Sequence, residues 1–159
     1  MDPLRVKALE LFKVAWQTQL RGELDRAIAL YSQSIGLCPT SEAHTFRGWA
    51  YSAQRRFEDA IAECKKAIEV DPTLGNPYND IGSYLIALGR PDEAIEWLER
   101  AKLAPRYEPR HFPYINLGRL YAQKGLLLRA LAELRGALEH RPGDPVAEQA
   151  IQELQARLN

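Results

Sequence analysis

Over the first twenty residues the apolar positions fall into two stripes at helical spacing. Leu11, Val14 and Ala15, with Thr18, make one face of the helix this pattern predicts, and Leu9, Phe12, Trp16 and Leu20 make a second. At the far end Ala147, Ala150, Ile151, Leu154 and Leu158 form one stripe opposite Glu148, Gln149, Gln152, Glu153 and Arg157, which predicts an amphipathic helix over 145–158 capped by Asp144. Between these ends glycine and proline cut the pattern at regular places. Asp2 and Pro3 read as cap and first residue of a helix reaching about Leu20 and ended by Gly22. Further helices are predicted near 24–37, 41–54, 57–70, 76–88, 91–103, 111–124 and 127–140. Ser41 is the expected cap of the third, Asp71-Pro72 stops the fourth, Gly89 and Gly125 close later ones, and Pro91 is tolerated in a first turn.

The helices come in pairs that repeat. GELDRAIALY, RRFEDAIAEC, GRPDEAIEWL and GLLLRALAEL are near-copies of one phrase, with Ala27, Ala60, Ala94 and Ala130 at intervals of 33, 34 and 36 residues. Ala15, Gly48, Gly82 and Gly118 recur upstream at the same intervals, and Pro39, Pro72 and Pro142 close three units. Glycine inside a helix costs ~1 kcal/mol relative to alanine. The compensation expected is close approach of the paired helix, with the four alanines offered from the other side. A small residue in the first helix (A), alanine in the second (B) and proline in the exit turn, at a period near 34, resemble the tetratricopeptide repeat. The resemblance implies an all-α, right-handed superhelical solenoid of antiparallel helix pairs. It divides the single domain 1–159 into repeats of about 8–40, 41–74, 75–110 and 111–144, followed by a solubilising end cap at 145–158.

Composition narrows the function classes. Lysine plus arginine equals aspartate plus glutamate at 21 each, and the balance holds along the chain, so the one-sided basic surface needed for nucleic acid is missing. No apolar run is long enough for membrane insertion. The first residues, MDPLRVKALELFK, carry charges throughout and lack a signal-peptide pattern, which makes a cytoplasmic protein the expectation. Cys38 and Cys64 have neither zinc-site nor disulfide spacing and read as small reduced residues in or near the core. His44, His111 and His140 are scattered, and no nucleophile, phosphate loop or metal motif accompanies them, so no enzyme, cofactor or metal is expected.

What the resemblance implies instead is a concave wall built from A helices. Its second stripe in the first repeat has no packing duty within that repeat; the equivalent places downstream hold Thr45, Trp49 and Ser52, then Asn79, Ser83 and Ile86, then Ile115, Arg119 and Ala122. Trp16 and Trp49 should stand side by side there. Trp97, on a B helix, reads as inter-repeat packing, and Tyr78 and Tyr114 as packing. The carboxylate clamp by which related adaptors grip acidic chaperone tails needs lysine, asparagine and further basic residues. Its corresponding places hold Phe12, Trp16, Phe46, Asn76 and Asp80 here, or, one repeat later, Thr45, Trp49, Asp80, Phe112 and Asn116, none matching in charge. The partner expected is thus a protein segment of apolar or proline-rich character, bound by Phe12, Trp16, Thr45, Trp49, Asn79, Ser83, Arg119 and Gln123. A non-catalytic adaptor of this kind is the leading reading. A small chaperone for secreted or membrane-bound clients is an alternative, and a self-assembling homo-oligomeric scaffold is another, its evidence being Leu126 and Leu128 facing outward beside the packing residue Leu127. The segment APRYEPRHFP at 104–113 lengthens the third repeat and reads as a stiffened loop; repeats elongated at a corresponding joint also occur in tetratricopeptide lipoproteins that pilot pilus secretins, although no lipidation cysteine lies near this N-terminus.

Overall fold

The computed structural model describes residues 2–159. Nine helices follow one another among them: α1 (Pro3–Leu20), α2 (Leu24–Leu37), α3 (Ser41–Ala53), α4 (Phe57–Val70), α5 (Asn76–Ala87), α6 (Pro91–Leu103), α7 (His111–Gln123), α8 (Leu127–His140) and α9 (Pro145–Leu158). Every bound lies within one residue of the sequence expectation. The chain is an all-α solenoid of antiparallel helix pairs.

Turn chemistry sets these bounds. The Asp2 and Asp144 carboxylates accept from the backbone N–H of Leu4 and Ala147, so both act as N-caps. At α3 the cap is Thr40, whose hydroxyl accepts from Ala43 N–H at 3.1 Å; Ser41, the expected cap, is instead the buried first residue of the helix. Each A helix ends in a left-handed residue at the same place of the repeat, Gly22, Gly89 and Gly125 at φ 81°, 74° and 79°, and in the second repeat Arg55 at 61°.

The small residues of the repeated phrase hold the two layers together. Ala15, Ala27, Ala60, Ala94 and Ala130 are fully buried. A Cβ on Gly48 would come within 3.3 Å of the Ala60 carbonyl oxygen, as expected. At Gly82 and Gly118, however, the occupants of the missing space are Leu98 and Leu134, whose side chains would lie 2.5 Å and 2.7 Å from a Cβ. The glycines are therefore holes for leucine knobs one turn along the B helix from the repeated alanine. A buried ion cluster adds to the α3 to α4 contact: Glu63 accepts from both nitrogens of the Arg47 fork, at 2.8 and 2.7 Å, and pairs with His44 Nδ1 at 2.9 Å. Burial alone would raise the Glu63 pKa, but the His44 and Arg47 bonds outweigh it and hold it at about 2.

The lengthened joint after α6 is strapped down. Gly75 and Arg106 exchange backbone bonds with their neighbours across the joint (Gly75 N–H to Arg106 O, 3.0 Å; Arg106 N–H to Thr73 O, 2.9 Å), while the Arg106 guanidinium pairs with Asp71. The Tyr107 ring lies on Gly75, filling the place of a Cβ, and Arg110 donates to the carbonyls of Lys102 and Ala104. Its tyrosine and two arginines thus brace the junction between repeats.

The stack has an inside. Each B helix packs on the next A helix, and successive A helices (α1, α3, α5, α7, α9) also approach closely, whereas successive B helices stand further apart among the described residues, bridged by long side chains such as Lys102 to Glu133. Contact on one side with splaying on the other curves the array, with the A helices as its inner, concave layer.

Candidate functional site

Places thirty-three to thirty-six residues apart share one direction on the inner layer, so its surface follows from three rows of equivalent residues: Phe12, Thr45, Asn79 and Ile115; Lys13, Phe46, Asp80 and Asn116; and Trp16, Trp49, Ser83 and Arg119. The rows change character from one end to the other. In the first two repeats four of their six places are aromatic, and the rings meet. Phe46 stacks on Trp49 at 4.4 Å between centroids and lies 4.9 Å from both Phe12 and Trp16. Trp16 and Trp49 are 6.0 Å apart. All four rings are half-buried, leaving part of each exposed on the inner layer.

The middle of the layer is polar. Trp49 donates its indole N–H to Asp80 Oδ2 at 2.5 Å, linking α3 to α5. Among the described residues no cation pairs with Asp80. Burial pushes its pKa up to about 7, against the opposing effect of the indole bond. The charge is felt around it, adding to burial in raising the Cys64, Tyr84 and Tyr107 pKa values. The Tyr84 hydroxyl is itself buried, with Ser52 beside it. One repeat on, Asn116 Nδ2 donates to Asn79 Oδ1 at 3.0 Å, a neutral pair between α5 and α7.

Toward the C-terminal end the layer opens. A cleft of about 430 Å³ separates α7 from α9, floored by Gly118, Leu134 and Leu154 and edged by Arg119, Gln123 and Arg157. Arg119 is exposed.

The structure thus brings together Phe12, Trp16 and Trp49, and sets Ser83, exposed on α5, and Arg119 and Gln123, exposed on α7, along the same layer. Thr45 is a correction: it is buried, and its hydroxyl bonds the Ser41 carbonyl of its own helix, so it has nothing to offer a ligand. Asn79 is nearly so, at 8% exposure with its amide oxygen engaged by Asn116. Phe12 also packs within its own repeat, on Tyr31 at 5.9 Å, and Val14, expected in the packing face, is exposed. Trp97 lies 6.3 Å from Tyr78 of its own repeat, with Lys65 of the preceding repeat over it. Two residues of the site, Phe46 and Asp80, are not among the binding residues expected from the sequence. Their signal is a row of their own, 46, 80 and 116, one residue beyond 45, 79 and 115. Leu126 and Leu128 stand apart from the inner layer at the α7 to α8 corner, 46% and 75% exposed. The three histidines remain apart: His44 on Glu63, His111 within 4.0 Å of Asp144, and His140 beside Tyr114.

Family models for the tetratricopeptide repeat match residues 41–74 and 76–104. The chain carries tetratricopeptide repeats. A TPR repeat-containing thioredoxin, TTL4 of Arabidopsis thaliana, is 32% identical over 75 residues, covering 46% of this chain and 11% of that protein. The tetratricopeptide-repeat array therefore corresponds to a small part of such a relative. Among solved structures, PilF of Pseudomonas aeruginosa superposes with a TM-score of 0.90 at 18% identity, over 99% of this chain and 71% of its own. YrrB, described as a TPR protein with an unusual peptide-binding site, superposes at 0.70 with 24% identity, over 95% and 77%. These likenesses share the solenoid.

Proposed function

We propose that this tetratricopeptide-repeat protein is a non-catalytic scaffold that holds a peptide or short helix of a partner protein along its inner layer. The observation that carries the reading is the continuity of that layer: half-exposed aromatic rings on α1 and α3 lead past Asp80 and Ser83 to an open cleft edged by Arg119 and Gln123. Tryptophan and arginine are the side chains that supply most binding energy at protein interfaces, typically ~2 kcal/mol or more each where they are central. The peptide-binding site described for YrrB, a protein of the same architecture, supports the reading by analogy.

The test is photocrosslinking from one position at a time. A benzoylphenylalanine at Ser83, exposed at the centre of the layer, should crosslink a partner, and Trp16→Ala should reduce the yield. The same probe at Leu128, on the outer corner, should not give that product. Crosslinks confined to Leu128, or unchanged by Trp16→Ala, would place the interface elsewhere.

A second reading, self-assembly, is favoured by Leu126 and Leu128, two exposed leucines at one corner. It predicts a Leu128 crosslink between copies of this chain, and sedimentation as a monomer at high concentration would eliminate it.

A further inference from the structure

Asp80 is the unexplained residue of the inner layer. An acceptor for the Trp49 indole is needed there, but a neutral amide oxygen would serve, as that of Asn79 does for the Asn116 amide between α5 and α7. A carboxylate is the costlier choice, because its charge is removed from water without a counterion. No lysine, arginine or histidine among the described residues makes an ion pair with it. Its surroundings are Trp49 on α3, Cys64 on α4, Tyr84 on its own helix and Tyr107 in the joint after α6, none of them cationic. Tyr84 adds a buried hydroxyl close enough to feel that charge. The residue is nonetheless partly exposed, so the carboxylate is reachable from the inner layer.

The rings beside it point to the same occupant. The faces of indole rings carry negative potential, and Trp49, bonded to Asp80 through its edge, has Trp16 6.0 Å away. Ring faces and carboxylate therefore attract a cation together and repel an anion together. Guanidinium suits this arrangement better than ammonium: it is planar, stacks on indole, is weakly hydrated, and can donate to a carboxylate oxygen while stacked.

We propose that the Trp16, Trp49 and Asp80 constellation is a recognition site for an arginine side chain on the partner's bound segment. The proposal rests on the groove reading above and specifies the chemistry of what lies in it: an apolar segment carrying a basic residue, not an acidic tail. Asp80 is then the counterion the partner completes.

Two synthetic pentapeptides test it, acetyl-Leu-Ala-Arg-Ala-Leu-amide and the same peptide with neutral, isosteric citrulline in place of arginine. Each is titrated into the ¹⁵N-labelled protein at about pH 7.5, where Asp80 is largely ionised, and the indole N–H resonances of Trp16 and Trp49 are followed. The arginine peptide should shift both and saturate, binding at least about tenfold more tightly than its citrulline twin. In Asp80→Asn, which keeps an acceptor for the indole, the two peptides should become equivalent; an unchanged thermal midpoint or a higher one shows that the fold is kept. Equal affinity of the two peptides for the wild type, or an arginine preference that survives Asp80→Asn, overturns the proposal while leaving an apolar groove in place. If neither peptide moves the indoles the arginine site is likewise refuted, and the groove reading is then judged by the Ser83 crosslink, which involves no charged probe.

Discussion

The two ends of the inner layer use the same places of the repeat for opposite purposes. Trp16 and Trp49 in the first two repeats correspond to Ser83 and Arg119 in the last two, and Phe46 to Asn116. Where the residues are large they reach across to the next A helix and stack, so Phe46 touches Phe12, Trp16, Tyr31 and Trp49. Where they are small or polar the helices leave a cleft, as between α7 and α9. A repeat therefore fixes where a side chain points, but the size of its neighbour one repeat away decides whether it binds or packs. Substitution at the aromatic end should lower stability as well as binding, and at the open end chiefly binding.

The sharpest break of that contrast removes α9. It forms one wall of the open cleft and buries Ala147 and Leu154 against the last repeat. Truncation after Pro142 strips both and uncovers Leu134, a loss on the order of 4 kcal/mol from two buried contacts and the surface they cover. Aggregation or loss of cooperative unfolding is expected by sedimentation and denaturant titration. A soluble truncate of unchanged stability would show that the C-terminal end does not depend on its cap.

Next in size is the pair Phe46→Ala and Arg119→Ala. The first removes the ring on which the aromatic end converges and should cost about 2–3 kcal/mol, since the site is half-buried and a full core truncation costs more. The second lies on an exposed edge and should stay within about 0.5 kcal/mol of wild type. Urea midpoints of the two variants measure the difference, and equal values would erase the division into a packed end and an open one.

The places where sequence reading succeeded and failed follow the same division. Helix bounds, the Asp144 cap and the left-handed glycines are local, set by residues within one turn, and each was legible. The close approach at Gly82 and Gly118 was legible as a need for space, but the knobs are Leu98 and Leu134, because which side chain fills a hole depends on the crossing of two helices. Val14 and Thr45 exchanged their expected exposures for the same reason: helical spacing defines a face but not how far the neighbouring helix covers it. Asp80 is not legible as a site residue, since its significance is the absence of a paired cation, which no single stretch of sequence displays.

Asp80 also sharpens the comparison energetically, as the boundary between the two ends. Its folded pKa of about 7 lies above the unsupported value of 3.8. The folded state therefore holds the proton more tightly than the unfolded chain, and the associated stability is complete below about pH 4 and lost as pH rises through 7. Asp80→Asn should accordingly raise stability at about pH 8 by on the order of 1–3 kcal/mol, with the advantage vanishing near pH 4. Glu63 acts in the other direction and a different window: its pKa is lowered to about 2, so its contribution is present above 4.5 and lost as pH falls toward 2. Thermal midpoints of wild type and variant at a series of pH values would separate the two. A pH-independent difference would mean that the carboxylate titrates alike in the folded and unfolded states.

The smallest effect tests whether the second repeat, which carries the aromatic end, is strained at its turn. Arg55 holds φ 61° where the other three repeats place glycine. A residue with a Cβ costs roughly 1 kcal/mol in that region, while glycine gives back part of this through its greater freedom in the unfolded chain. Arg55 is exposed, and its guanidinium lies 5.7 Å from the Phe57 ring, a contact that glycine would forfeit. Exposed contacts of this kind contribute at most about 0.5–1 kcal/mol. Arg55→Gly should therefore change stability only slightly, with a gain of about 0.5 kcal/mol in urea if backbone strain outweighs the lost contact. A loss of similar size would show that the stacked arginine outweighs the strain, and that the turn of the aromatic repeat is held by a side chain where its siblings rely on glycine.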